Sequence, residues 1–231
     1  MHNKKNTLFG QALIDSNNLY ANSLTKAMGQ IRYHVGSMKA GVNAILDTLI
    51  HHHLLKPGQL ILEDGAGLST DNLVTPAAIA QVLMAIQHHH AWYRIFANSL
   101  PLAGIRGTLK NRLQQPDVRR RVLAKTGTLN HVSNLSGYLQ LPQQHWILVI
   151  LTNNVANLTA ARQAQYTALR CLAAPEDHAT STLSSNSVHL VIQQLLPCHP
   201  TASTLSSNSF YPVITQRLPC HHATPTLSSR T

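Results

Sequence analysis

Val122-Leu123-Ala124-Lys125-Thr126-Gly127-Thr128-Leu129, Leu135-Ser136-Gly137-Tyr138-Leu139-Gln140-Leu141 and His145-Trp146-Ile147-Leu148-Val149-Ile150-Leu151-Thr152 are three short runs rich in Val, Ile, Leu, Tyr and Trp. The breaks between them, at Asn130-His131 and Pro142-Gln143-Gln144, are turn-forming, so the runs read as three antiparallel strands joined by hairpins. Residues 146–151 are apolar without alternation, the pattern of a strand covered on both faces. Such a strand expects a neighbour on each side.

Apolar residues at three-and-four spacing over 8–28 and 38–55 predict amphipathic helices, separated by a polar turn around 29–36. Pro76 opens a further predicted helix through residue 86, and residues 92–100 a fourth. A helix over 156–173 closes the unit. The order is helices first and antiparallel strands after, which defines an α+β class.

At residue 176 the composition changes to Ser, Thr, Pro and His. Ser181-Thr182-Leu183-Ser184-Ser185-Asn186-Ser187 recurs as Ser203-Thr204-Leu205-Ser206-Ser207-Asn208-Ser209, and Pro197-Cys198-His199 as Pro219-Cys220-His221, a 22-residue period. Fewer than three repeats with little apolar face do not make a solenoid, so the division is a domain at 1–175 and a low-complexity tail at 176–231, expected to lack a packed core. All of the net charge of +10 lies before the tail, since two basic and two acidic residues follow residue 175. A basic surface attracts any polyanion, and no nucleic-acid motif accompanies this one, so no nucleic acid is expected as a partner.

Several features have a plain structural reading. The three cysteines match no zinc or redox spacing. His51-His52-His53 and His88-His89-His90 fall where helices should end, where histidine suits the helix dipole better than a metal. No apolar segment has the length of a membrane span, and none of signal-peptide length follows Met1, so the chain as written is expected to be cytoplasmic.

The chemistry-bearing residues are sparse. Lys125-Thr126-Gly127-Thr128 lies within the first strand, where a lysine can hold a carboxylate, threonines can hydrogen-bond a substrate, and glycine leaves the strand edge open. Ser16-Asn17-Asn18 offers a hydroxyl for proton transfer and an amide to hold a carbonyl, although Ser and Asn at a helix boundary also serve as caps.

Taken together these segments resemble Ser-x-Asn and Lys-Thr-Gly, two of the three motifs that with Ser-x-x-Lys mark the penicillin-binding proteins, within them the D-alanyl-D-alanine carboxypeptidase/endopeptidase family. Asp64-Gly65-Ala66-Gly67-Leu68-Ser69, with Ala66 where that family usually has Ser, and Gly107-Thr108-Leu109 fall in the family's order, and the resemblance runs over about 8–172. It implies an incomplete penicillin-binding, serine β-lactamase-like transpeptidase fold with the site between helices and sheet. It implies a serine peptidase of the cell envelope acting on peptidoglycan peptides ending in D-Ala-D-Ala and trapped by β-lactams, with no cofactor and no metal. In that reading Ser16 relays a proton, Asn18 holds the substrate amide, and Lys125, Thr126, Gly127 and Thr128 bind the terminal carboxylate and backbone.

The family places Ser-x-x-Lys well upstream of Ser-x-Asn, and only fifteen residues precede Ser16, so the chain is expected to lack that nucleophile and to be inactive alone. Ser23-Leu24-Thr25-Lys26 fits the string but lies downstream. The strands that would cover 146–151 belong to the same upstream region, which leaves an apolar edge expected to be open or covered by a partner chain. The alternative is a non-catalytic remnant that binds peptidoglycan or such a partner.

Overall fold

The computed structural model describes residues 8–142 and 144–173, together with the strand backbones at 181–182, 188–195 and 219–220. Helices α1 (Leu8–Ile14), α2 (Asn18–Tyr33) and α3 (Met38–His51) precede a small antiparallel pair, β1 (Leu60–Ile61) with β2 (Leu73–Val74). Then come α4 (Pro76–His88), α5 (His90–Ser99), the sheet strands β3 (Val122–Leu129), β4 (Val132–Gln140) and β5 (His145–Thr152), and α6 (Leu158–Ala173). In the tail, β7 (Val188–Leu195) lies between two-residue strands β6 (Ser181–Thr182) and β8 (Pro219–Cys220), which pair with each other.

The single helix expected over 8–28 is broken. Ser16 has φ +56°, which a right-handed helix cannot contain, and the Asn17 side chain accepts the Tyr20 N–H at 3.0 Å to begin α2 afresh. Ser37 and Thr75 cap α3 and α4 in the same way, with Pro76 supplying a pre-set φ at the first turn of α4. Both histidine runs sit at helix ends: His51 closes α3, and His89 Nδ1 accepts the Trp92 N–H to start α5. Among the described residues no helix is long and apolar enough to cross a membrane.

The main sheet runs β3-β4-β5-β7, antiparallel throughout. β5 explains the unbroken apolar run. Ile147, Val149 and Leu151 point to one face, where Ala80 and Leu83 of α4, Leu100 and Tyr138 meet them. Leu148 joins Leu135, Leu139, Val122 and Ala124 on the other face, under Leu169 of α6. The outer edge of β5 differs from the sequence expectation: it is not open, because β7 pairs with all of it, from His145 opposite Leu195 to Thr152 opposite Val188. The physical reason is local. Val188-His189-Leu190-Val191-Ile192 is a β-branched, apolar run inside an otherwise polar tail, suited to satisfy a row of strand N–H and C=O groups.

Helices α2 and α3 pack at backbone contact. A Cβ on Gly41 would lie 2.1 Å from the Thr25 carbonyl oxygen, and one on Gly29 would lie 2.5 Å from the Gly41 nitrogen. This close approach fixes α2, and with it the Ser16–Asn18 turn at its start, against the remainder of the helical layer.

Candidate functional site

β3 is an edge strand. The loop before it bonds that edge through Ala103 N to Val122 O and Ala124 N to Pro101 O, and beyond Ala124 the edge borders a cleft of about 190 Å³. Ser16 and Asn18 wall the cleft from the α1–α2 junction, Ala66–Leu68 from the loop between β1 and β2, and Val132 and Asn134 from β4. Lys125, Thr126, Gly127 and Thr128 line it from β3. All six residues singled out in the sequence therefore reach one cleft, although Ser16 and Lys125 are 109 positions apart.

Lys125 Nζ donates to Ser16 Oγ at 2.6 Å and to the Thr126 carbonyl oxygen at 2.6 Å. Burial pushes the Lys125 ammonium below the ordinary lysine range, because it strips hydration from the charged form. Thr126 Oγ1 is 2.8 Å from Thr108 Oγ1. The turn carrying Thr108 is itself seated on the end of α1, since a Cβ on Gly107, at φ +63°, would lie 2.5 Å from the Ile14 carbonyl oxygen. A continuous chain of contacts thus links the end of α1 to the middle of β3.

The third wall is held by polar side chains. Asp64 accepts from the N–H groups of Gly67 at 2.7 Å, Leu68 at 3.0 Å and Ser69 at 3.0 Å, and from Asn72 Nδ2 at 2.9 Å. Asn72 Oδ1 in turn accepts from Glu63 N, and Asn22 Oδ1 on α2 accepts from Gly65 N at 3.0 Å. Gly65 is required there: its Cβ would lie 1.9 Å from Thr25 Oγ1. A larger groove of about 660 Å³ continues from the cleft past Gly67, Leu129, Val132 and Asn134, and none of the described residues lining it is charged.

Sequence reasoning did not assign a role to Thr108, Asn22, Asp64 or Asn72. Asn22 had one available signal, its position one turn after Asn18 on the same helix face. Ser23 and Lys26 are exposed on α2 and do not line the cleft, and theirs is the only Ser-x-x-Lys string in the 231 residues. Among the described residues no cluster of His, Cys, Asp and Glu could hold a metal ion.

A sequence profile of the D-Ala-D-Ala carboxypeptidase 3 (S13) family matches residues 6–174. The chain is 34% identical to a D-alanyl-D-alanine carboxypeptidase of Actinomadura sp. (strain R39) over 164 residues, which are 65% of this chain and 30% of that protein. It is 34% identical over 127 residues to the D-alanyl-D-alanine carboxypeptidase DacB of Haemophilus influenzae, covering 54% of this chain and 26% of the relative. It therefore spans less than a third of the length of these relatives. Among solved structures, penicillin binding protein 4 of Haemophilus influenzae, in complex with a novel β-lactam, superposes with a TM-score of 0.63 at 30% identity, over 71% of this chain and 40% of that one. The arrangement of helices on an antiparallel sheet is thus an incomplete penicillin-binding fold.

Proposed function

Because the chain belongs to the D-Ala-D-Ala carboxypeptidase 3 (S13) family, we propose that its cleft receives the D-alanyl-D-alanine end of a peptidoglycan peptide. The observation that carries this reading is the Lys125–Ser16 contact of 2.6 Å at the open edge of β3. An extended peptide laid along that edge meets backbone groups that no strand takes up, as in strand addition. Lys125 as an ammonium, with the hydroxyls of Thr126 and Thr128, is suited to the terminal carboxylate, and Gly127 leaves the edge clear for the peptide backbone. Asn18 is suited to hold the amide next to the scissile bond. Ser16, hydrogen-bonded to Lys125, would relay the proton to the leaving nitrogen in a complete family site.

Hydrolysis of an amide also needs an attacking serine with its own base. Ser23 and Lys26 face solvent away from the cleft, so in this reading the described residues bind such a peptide as a ligand, without an amide-cleaving serine of the Ser-x-x-Lys type. Substrates of this kind belong to the cell envelope, where this reading places the protein's work.

Calorimetric titration of the purified chain with an N-acetylated peptide ending in D-Ala-D-Ala tests the proposal. Binding is expected, weakened about tenfold or more by Lys125→Met, since a charge-assisted pair to a carboxylate contributes roughly 1.5–3 kcal/mol. No free D-alanine should accumulate. A chain that ignores the peptide, or binds an L-Ala-L-Ala peptide and the Lys125→Met variant equally well, would sink the reading.

A further inference from the structure

Ser16 differs from an ordinary serine at a helix start in three respects that coincide. Its backbone is held at φ +56°, a conformation that L-residues other than Asn, Asp and Gly seldom adopt. It lies immediately before the N-cap of α2, where the helix dipole places partial positive charge. Its Oγ is 2.6 Å from the amine nitrogen of a half-buried lysine that faces the same cleft. A serine on a strained turn before a helix, with its hydroxyl presented to a base, is the general geometry of an activated nucleophile, and Ser–Lys pairs are among its known forms.

We propose that Ser16 and Lys125 form a nucleophile–base pair in this chain, able to take an acyl group from an activated ester. The step balances within the pair and the ester. Ser16 Oγ forms a bond to the acyl carbon, its proton passes to the Lys125 Nζ lone pair, and the bond from acyl carbon to leaving oxygen breaks as that oxygen departs with the electron pair. The leaving group must be a good one, such as an aryl oxide, which departs as the anion without needing a proton, whereas an amide nitrogen does not. For that reason the pair acts on esters while the chain leaves D-Ala-D-Ala amides intact, and the inference does not depend on the peptide-binding reading.

Lys125 must be neutral to accept the proton, and its contacts are compatible with that form. In the amine form Nζ keeps a hydrogen for the Thr126 carbonyl oxygen and turns its lone pair to Ser16. The lysine is also desolvated, which lowers its pKa. Among the described residues Lys125 is the only titratable side chain lining the cleft: the α1–α2 junction contributes Ser16 and Asn18, the loop Ala66–Leu68, β3 only threonines, Gly127 and Leu129 besides it, and β4 Val132 and Asn134. Asp64, behind the loop, spends its carboxylate on its own backbone N–H groups and Asn72. The pH dependence of acylation therefore follows Lys125, rising as the ammonium loses its proton. Carboxylate binding, which uses the ammonium, follows the opposite course.

The test is incubation of the full chain with p-nitrophenyl acetate between pH 6 and 10, with nitrophenolate release and peptide mass mapping as readouts. The expected result is one acetyl per chain on Ser16, removed by hydroxylamine as an ester is and a lysine amide is not. Its rate of formation should rise with pH. Ser16→Ala should abolish that adduct, and Lys125→Met should slow it roughly 100-fold, the lower end of what a positioned base contributes. Lys125→Arg, which keeps the cation without a usable base, should slow it equally. Circular dichroism melts identify any variant that fails to fold, and for such a variant the wild-type adduct map and pH profile decide alone. Acetyl groups found only on lysine amines or on other serines, or a rate on Ser16 that does not change with pH, would overturn the pair. Loss of peptide binding with the Ser16 ester intact would instead count against the proposed substrate.

Discussion

Asp64 is the residue on which the cleft wall hangs. Burial would raise its carboxyl pKa, but the hydrogen bonds from Asn72 and from the N–H groups of Gly67, Ser69 and Leu68 outweigh that and bring it below the ordinary aspartate range. A carboxyl depressed in the folded state contributes stability that is complete above its unfolded value and is lost as pH falls through the folded one. Asp64→Asn is thus expected to cost about 1–2 kcal/mol at neutral pH, since an amide cannot accept all four bonds. The gap from wild type should shrink below pH 4. Urea denaturation at pH 7 and pH 3 reads this directly, and a gap of equal size at both would show that the carboxylate does not hold the loop. Ser16 and Lys125 were legible in the sequence because short strings carry them. Asn22 and Thr108 were not, because what they do depends on partners 43 and 18 positions away. Nothing local in a chain marks a side chain whose only work is to meet a distant backbone.

At the scale of elements, sheet and helices were readable where period and length agree. β3 and β5 have the predicted bounds, and α4, α5 and α6 differ by a few residues, because frayed ends depend on capping contacts more than on composition. Two features escaped. The two-residue strands β1 and β2 are too short to show any period, and the break between α1 and α2 interrupts a spacing that continues across it. That break decides the site, because it turns the Ser16 hydroxyl toward β3. Its position depends in turn on α2 lying hard against α3. Gly41→Ala should therefore act at a distance: its methyl would press on the Thr25 carbonyl oxygen, which is helix backbone and cannot swing aside. A loss of about 1–3 kcal/mol is expected, together with weaker peptide binding in the cleft. If the variant unfolds at the wild-type denaturant midpoint, the helices have room to separate and the argument from close packing is wrong.

For the whole molecule, the question is what completes the sheet. β5 is buried on both faces by α4 and α6, so its two edges are the only directions left in which it can bond, and β4 takes one of them. An apolar strand with a free edge is a template for any other strand. In this chain β7 occupies that edge with eight residue pairs, although it comes from a repeat whose serines and threonines promised no core. The second copy of the repeat has Pro212 where the first has Leu190, and proline supplies no N–H to a ladder, so the two copies are not equivalent as strands. Ending the chain at Ala173 should thus do more than trim a polar tail. It should lower Tm by about 5 °C or more and raise the mass in solution above that of the full chain's own species through association at the bared β5 edge, as read by scanning calorimetry and size-exclusion chromatography with light scattering. Adding a synthetic peptide of residues 186–196 should reverse both changes, and the same peptide with Ile192→Pro, which withdraws a backbone donor in mid-strand, should not. A truncated chain that keeps the association state and the Tm of the full chain would mean that β5 needs no partner on that side, and that the tail strand contributes nothing to the fold it borders.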